Sequence, residues 1–107
     1  MIATAWNKGA HHRSGAGYGL KLAVADRDRF FRKKWKNVIL QLEGVADPVF
    51  VNIDKKSFWG SRCRELIDDQ IGRWLIDNKK APWPHRSPPK VRIEPIMGNL
   101  FSARFES

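Results

Sequence analysis

One stretch of the chain, residues 61–77, repeats its apolar side chains at a helical period, and elsewhere they fall mainly in short alternating runs. Cys63, Leu66, Ile67, Ile71, Trp74 and Leu75 follow i, i+3, i+4 spacing, with Arg62, Glu65, Asp69, Arg73 and Asp77 on the opposite side. Asp69 and Arg73 form a favourable i, i+4 pair. The pattern predicts one long amphipathic helix with Ser61 as N-cap and Cys63 on its buried face. Asn78 is the expected left-handed residue after its end, where Lys79 and Lys80 complement the helix dipole. Gly72 costs such a helix about 1 kcal/mol relative to Ala, so its presence predicts a close neighbour.

The alternating runs read as strands. Residues 18–25 place Leu20, Leu22 and Val24 on one face and Lys21 on the other. Asp26 is placed to cap a short helix over 27–35, anchored by Phe30, Phe31 and Trp35. Strands over 38–42 and 48–53, joined by the turn-like 43–47, predict an antiparallel hairpin, with Pro48 where a missing N–H matters least. Strands over 90–96 and 100–105 form a second hairpin around Met97-Gly98-Asn99. Between these hairpins, 81–89 carries four of the six prolines and is an extended, stiff connection. Residues 1–16, rich in Gly, His and small side chains, read as an N-terminal arm or loop. The expected order is β-α-β-β-α-β-β. The expected fold is α+β: a strongly bent, mainly antiparallel sheet of five to six strands, or an open pseudobarrel, with the long helix packed on it.

At 107 residues and 42% hydrophobic content, including five Trp and six Phe, the chain is expected to be a single domain, 1–107, with one core. No apolar run approaches the roughly 18–20 residues of a membrane span, so no membrane partner is expected. The first residues lack the charged start and apolar centre of a signal peptide, which predicts a cytoplasmic protein. The single cysteine excludes an internal disulfide and a Cys-based zinc cluster. No metal site or cofactor is expected.

Twenty Lys and Arg against eleven Asp and Glu give a net charge of +9. Such a surface attracts polyanions, nucleic acid above all, because phosphate contacts release condensed counterions. The densest cluster is 27–36, where Arg29, Arg32, Lys33 and Lys36 form the exposed face expected to track a phosphate backbone. Lys55 and Lys56 precede Phe58 and Trp59, which either stack on bases or staple the helix to the core; the second reading is preferred. Arg13 adds charge to the arm. Trp83, framed by Pro82 and Pro84, either docks a protein partner or folds back on the core, and again the second is preferred.

The segment His11-His12-Arg13-Ser14-Gly15-Ala16-Gly17-Tyr18-Gly19 supplies the only candidates for catalysis. An unperturbed imidazole titrates near neutrality, which makes His11 and His12 candidates for general acid and base roles, with Tyr18 to orient them. Metal-independent RNA cleavage is the chemistry this set would perform. The glycines do not form a nucleotide loop, because they precede a strand rather than open a helix. Backbone geometry at the start of the strand accounts for them better.

Ala5-Trp6-Asn7-Lys8-Gly9, His11–Gly15 and Tyr18-Gly19-Leu20-Lys21, with Lys56-Ser57-Phe58-Trp59 and Pro88-Pro89 later on, resemble a small prokaryotic family whose opening has this pattern. That resemblance implies nothing about activity. Gly9-Ala10-His11-His12 is similar to a Gly-Ser-His-His segment of small RNA-cleaving toxins, over four residues only. The element order resembles the DNA-binding pseudobarrel of plant transcription-factor domains and some restriction-enzyme effector domains, an analogy of fold. Together these readings predict a nucleic-acid-binding module, for duplex DNA ahead of RNA. The alternatives are a small nuclease using His11 or His12 and an interaction module presenting Trp83.

Overall fold

The computed structural model describes residues 1–106. Seven strands form one mixed sheet: β1 (Ile2–Asn7), β2 (Tyr18–Lys21), β3 (Asn37–Leu42), β4 (Val49–Asn52), β5 (Glu65–Ile67), β6 (Lys90–Met97) and β7 (Leu100–Phe105). Their order across the sheet is β4-β3-β7-β6-β1-β2-β5, and β3–β7 is the one parallel pair. The outer strands β4 and β5 curl towards each other, so the sheet nearly closes into a barrel. Three short helices complete it: α1 (Val24–Phe30), α2 (Lys56–Trp59) and α3 (Asp69–Asp77).

The interior follows the period of two expected of strands with one buried face. Leu20, Val38, Leu40, Leu42, Val49, Val51, Leu66, Val91, Ile93, Phe101 and Ala103 all point inward and are buried. Both predicted hairpins are present, β3 with β4 and β6 with β7. Gly98 adopts φ +54° in the second turn, a conformation that favours glycine.

Four expectations are corrected. The supposed arm at 1–16 contains β1, a strand inside the sheet paired with β2 on one side and β6 on the other. Its inward residues are the small Ala3 and Ala5, whereas Ile2 and Trp6 lie on the outer face. The usual large-inside alternation is therefore inverted, and the strand does not announce itself.

Second, the single long helix over 61–77 is two elements. Residues 65–67 pair with β2 as β5, and only α3 is helical. Asp68, not Ser61, is its N-cap, with Oδ1 accepting from the Gln70 N–H at 2.8 Å. Leu66 satisfies both periods, the ambiguity inherent in short apolar runs. Cys63 is consequently exposed in the preceding connection rather than in the core. Lys79, at φ 60°, takes the left-handed conformation expected of Asn78.

Third, α1 begins and ends earlier than predicted, with Ala23 at the N-cap position and Asp26 within the first turn. Fourth, the order is β-β-α-β-β-α-β-α-β-β, with seven strands rather than five or six.

The helices close the two ends of the barrel. At one end Phe31 stacks on Phe101 (centroids 4.8 Å apart), with Trp35 and Phe58 edge-on or tilted against this pair. At the other, Trp74 of α3 stacks on Phe105 at 4.0 Å, and its indole N–H donates to Glu43 O at 2.9 Å. Among the described residues no helix is long and apolar enough to cross a membrane.

Candidate nucleic-acid interface

The antiparallel β1–β2 and β2–β5 ladders and the parallel β3–β7 pair assign every connection to one end of the barrel. Residues 22–36 and 53–64 lie at the α1–α2 end. Ile53 N donates to Lys36 O at 3.1 Å and Arg64 Nε to Leu22 O at 2.6 Å, joining the two segments to the same rim. These segments hold ten of the twenty Lys and Arg but three of the eleven Asp and Glu, which is seven of the nine net positive charges. The connections at the α3 end, 8–17, 43–48 and 68–89, hold six basic residues against five acidic, a net of +1. Charge is thus concentrated, not spread.

Arg29, Arg32, Lys33, Lys36 and Lys56 are exposed and Lys55 is half-buried. None of them takes part in an ion pair among the described residues. Lys33, Lys55 and Lys56 come together around a shallow hollow that also has Asp54, Trp59 and Gly60 in its wall. Phe58 is buried, and the Trp59 indole N–H donates to Ile53 O at 3.0 Å, so both aromatics hold α2 to the barrel as preferred from the sequence. Arg27, in the same basic segment, behaves differently: it is buried and donates to Phe58 O at the end of α2.

Arg13 does not join this cluster. It lies with His11 and His12 in the β1–β2 connection at the α3 end. The four residues of β2 rise by roughly 10 Å, so a polyanion touching both sets must run along the barrel wall. The β1–β2 connection is nevertheless braced by its own hydrogen bonds. Asn7 Oδ1 accepts from Gly9 N at 2.8 Å, Asn7 Nδ2 donates to Ala10 O at 3.0 Å, and Lys8 N donates to Gly17 O at 2.9 Å. Gly15, at φ +88°, lies directly against Gly72 of α3, the close neighbour that the glycine predicted.

Tyr18 is buried, and its hydroxyl lies 2.6 Å from Nδ1 of His11. Trp83 folds back to meet both rings edge-on, with centroids 4.9 Å from His11 and 5.8 Å from Tyr18. His11 borders a shallow hollow that includes Trp83, Arg86 and Pro88, whereas His12 borders another, beside Lys8. The two histidines thus border different hollows, which share Trp6 and Gly9. Among the described residues no group of three or more His, Cys, Asp or Glu is placed to hold a metal ion.

Burial pushes the Tyr18 phenol above its ordinary value of 10.0. The folded chain then keeps this proton at pH values where the unfolded chain has lost it. Stability attributable to Tyr18 is present below about pH 10 and falls as pH rises further. Tyr18→Phe should flatten that alkaline decline and cost about 1 kcal/mol at neutral pH through the lost hydrogen bond. Urea midpoints for both proteins across this range test it, and because Tyr18 is the only tyrosine, phenolate absorbance reports its titration directly.

Residue patterns overlooked Trp6 and Lys8, since neither stood out in a segment read as an arm. The usable signal was a tryptophan one residue beyond the alternating Ala3 and Ala5. No protein-family model, curated protein or solved structure matches the chain.

Proposed function

We propose that the protein binds nucleic acid through the α1–α2 end of the barrel, with Arg29, Arg32, Lys33, Lys36, Lys55 and Lys56 contacting phosphates. The observation that carries this reading is the asymmetry of charge, +7 in the connections of one end against +1 in those of the other. Unpaired cations held on a rigid rim are suited to phosphates spaced along a backbone. At the same end Phe58 is buried and the Trp59 indole N–H is tied to Ile53 O, so both side chains help hold α2 in place while the Trp59 ring lines the basic hollow. Duplex DNA is taken ahead of RNA, the order of preference reached from the sequence.

Six phosphate contacts imply an affinity loss of about a thousandfold between 50 and 200 mM salt. Fluorescence anisotropy of a labelled DNA duplex should show this loss. Replacing Lys33 and Lys56 together by Ala should reduce the slope of log affinity on log salt by about 2. Absence of binding at 50 mM salt, or an unchanged slope in the double variant, would remove the proposal.

A further inference from the structure

Among the described residues, Trp6 is the one tryptophan of five that is not packed against the core. Among the described residues its indole N–H has no protein hydrogen-bond partner, and its ring pairs with no other aromatic residue. Its position across the sheet is specific. Trp6 pairs with Gly19 of β2, and Gly19 pairs in turn with Ile67 of β5. On this outer face two bulky side chains therefore flank a position that has none. A Cβ at Gly19 would lie 2.7 Å from Leu66 O and 3.0 Å from Ile67 Cγ1, so the missing side chain lets Ile67 pack close against this position and form one wall of the slot beside Trp6.

Above the slot the β1–β2 connection contributes the small residues Gly9, Ala10, Ala16 and Gly17, and Lys8 and His12 stand at the rim. The cleft encloses about 820 Å³, within the range of small-molecule sites, and no acidic residue lines it. Lys8 has no ion-pair partner among the described residues. The walls favour a flat apolar ring, and the rim favours an anion.

We propose that this cleft binds a single nucleotide, its base against the Trp6 indole and its phosphate against Lys8 and His12. A planar ring bearing a phosphate is the chemistry the cleft itself selects; choosing a nucleotide rather than a phosphorylated tyrosine rests on the nucleic-acid reading above. The site is preformed. Asn7 closes the turn over Gly9 and Ala10, Lys8 N is fixed to Gly17 O, and Gly15 is wedged against α3. Little ordering is left for binding to oppose. Stacking on an indole is sequence-tolerant, because every base presents a π-face.

Calorimetric titration with adenosine monophosphate tests the proposal, with an unstructured tetranucleotide and phosphotyrosine as parallel arms. Adenosine monophosphate should bind, and Trp6→Ala should weaken it by about five- to a hundredfold, the range expected for one stacked base. Lys8→Ala, a change at an exposed side chain, should weaken the monophosphate while leaving adenosine unaffected. Tighter binding of the tetranucleotide, lost in Trp6→Ala, would identify the source as a nucleotide within a strand; equal binding would identify a free nucleotide. Failure of adenosine monophosphate and the tetranucleotide to bind at millimolar concentration overturns the inference, as does binding of phosphotyrosine alone. Duplex binding lost in Lys33→Ala/Lys56→Ala, with monophosphate binding retained, would show the two sites to be separate. Loss of duplex binding in the wild type would remove the reading at the α1–α2 end and leave this cleft standing on its own titration.

Discussion

Gly72→Ala is expected to destabilise the protein by about 2–3 kcal/mol, although the same change in an ordinary helix interior is worth about 1 kcal/mol in the opposite direction. The reason is backbone against backbone. A Cβ on Gly72 would lie 2.1 Å from Gly15 O and 2.6 Å from both the carbonyl carbon and Cα of Gly15. No side chain can rotate away to make room. Gly15 cannot yield either, since its own missing Cβ would meet Asp69 O at 2.3 Å and Arg73 N at 2.6 Å, and it sits at φ +88°. Either α3 lifts from the barrel, exposing Ile71, Trp74 and Leu75, or the β1–β2 connection is displaced. Urea denaturation measures the first consequence as a lowered midpoint. Displacement of His11 from Tyr18, visible as a shift of the single tyrosine's ring signals, reports the second. A midpoint equal to or above that of the wild type would mean that the two backbones are not in contact.

This contact also marks what the sequence could and could not reveal. A glycine inside an apolar helical stripe predicted a close neighbour, but nothing local identified that neighbour as Gly15, far away in the chain. The two hairpins were legible because large apolar residues alternate on both arms and the turns between them are short. β1 was hidden because its buried positions are Ala3 and Ala5 while the large Trp6 faces outward. β5 merged with α3 because Leu66 fits a strand and a helix equally well. The parallel β3–β7 pairing joins two hairpins distant in sequence, and no local pattern encodes it.

The candidate sites divide in the same way. The identity of the cations was readable, because Arg and Lys crowd into 27–36 and again at 55–56. Their convergence follows from the β3–β4 hairpin, whose register sets Asn37 opposite Asn52 and so brings the residues before β3 beside those after β4. Arg13 belongs by composition to the basic set and by topology to the opposite end. The His11–Tyr18 contact was anticipated in residue type. Trp6 required the cross-strand register, because its meaning lies in Gly19 and Ile67 beside it rather than in its chain neighbours.

Arg27 is where counting charges misleads most, and its replacement carries the second large expected effect. Arg27→Met should cost about 2–4 kcal/mol of stability while removing a cation from the densest basic segment of the chain. Its Nη1 donates to Phe58 O at 2.8 Å and to Gly60 O, and its Nε and Nη2 both meet Asp28 Oδ1 at 3.0 Å. The guanidinium also lies over the Trp59 ring, 5.6 Å from its centroid. Methionine fills much of the same volume but leaves both carbonyls without this donor. Lysine should recover only part of the loss, because one ammonium cannot reproduce the planar fork that reaches two carbonyls and a carboxylate at once. The consequence for binding is indirect: Arg27 ties α1, with Arg29 beside it, to the turn that carries Lys55 and Lys56. A true phosphate contact would behave in the opposite way, with stability unchanged and the salt slope of duplex binding reduced by about 1. Chemical denaturation together with anisotropy at several salt concentrations separates these outcomes. Unchanged stability with a shallower slope would move Arg27 from the scaffold to the binding surface.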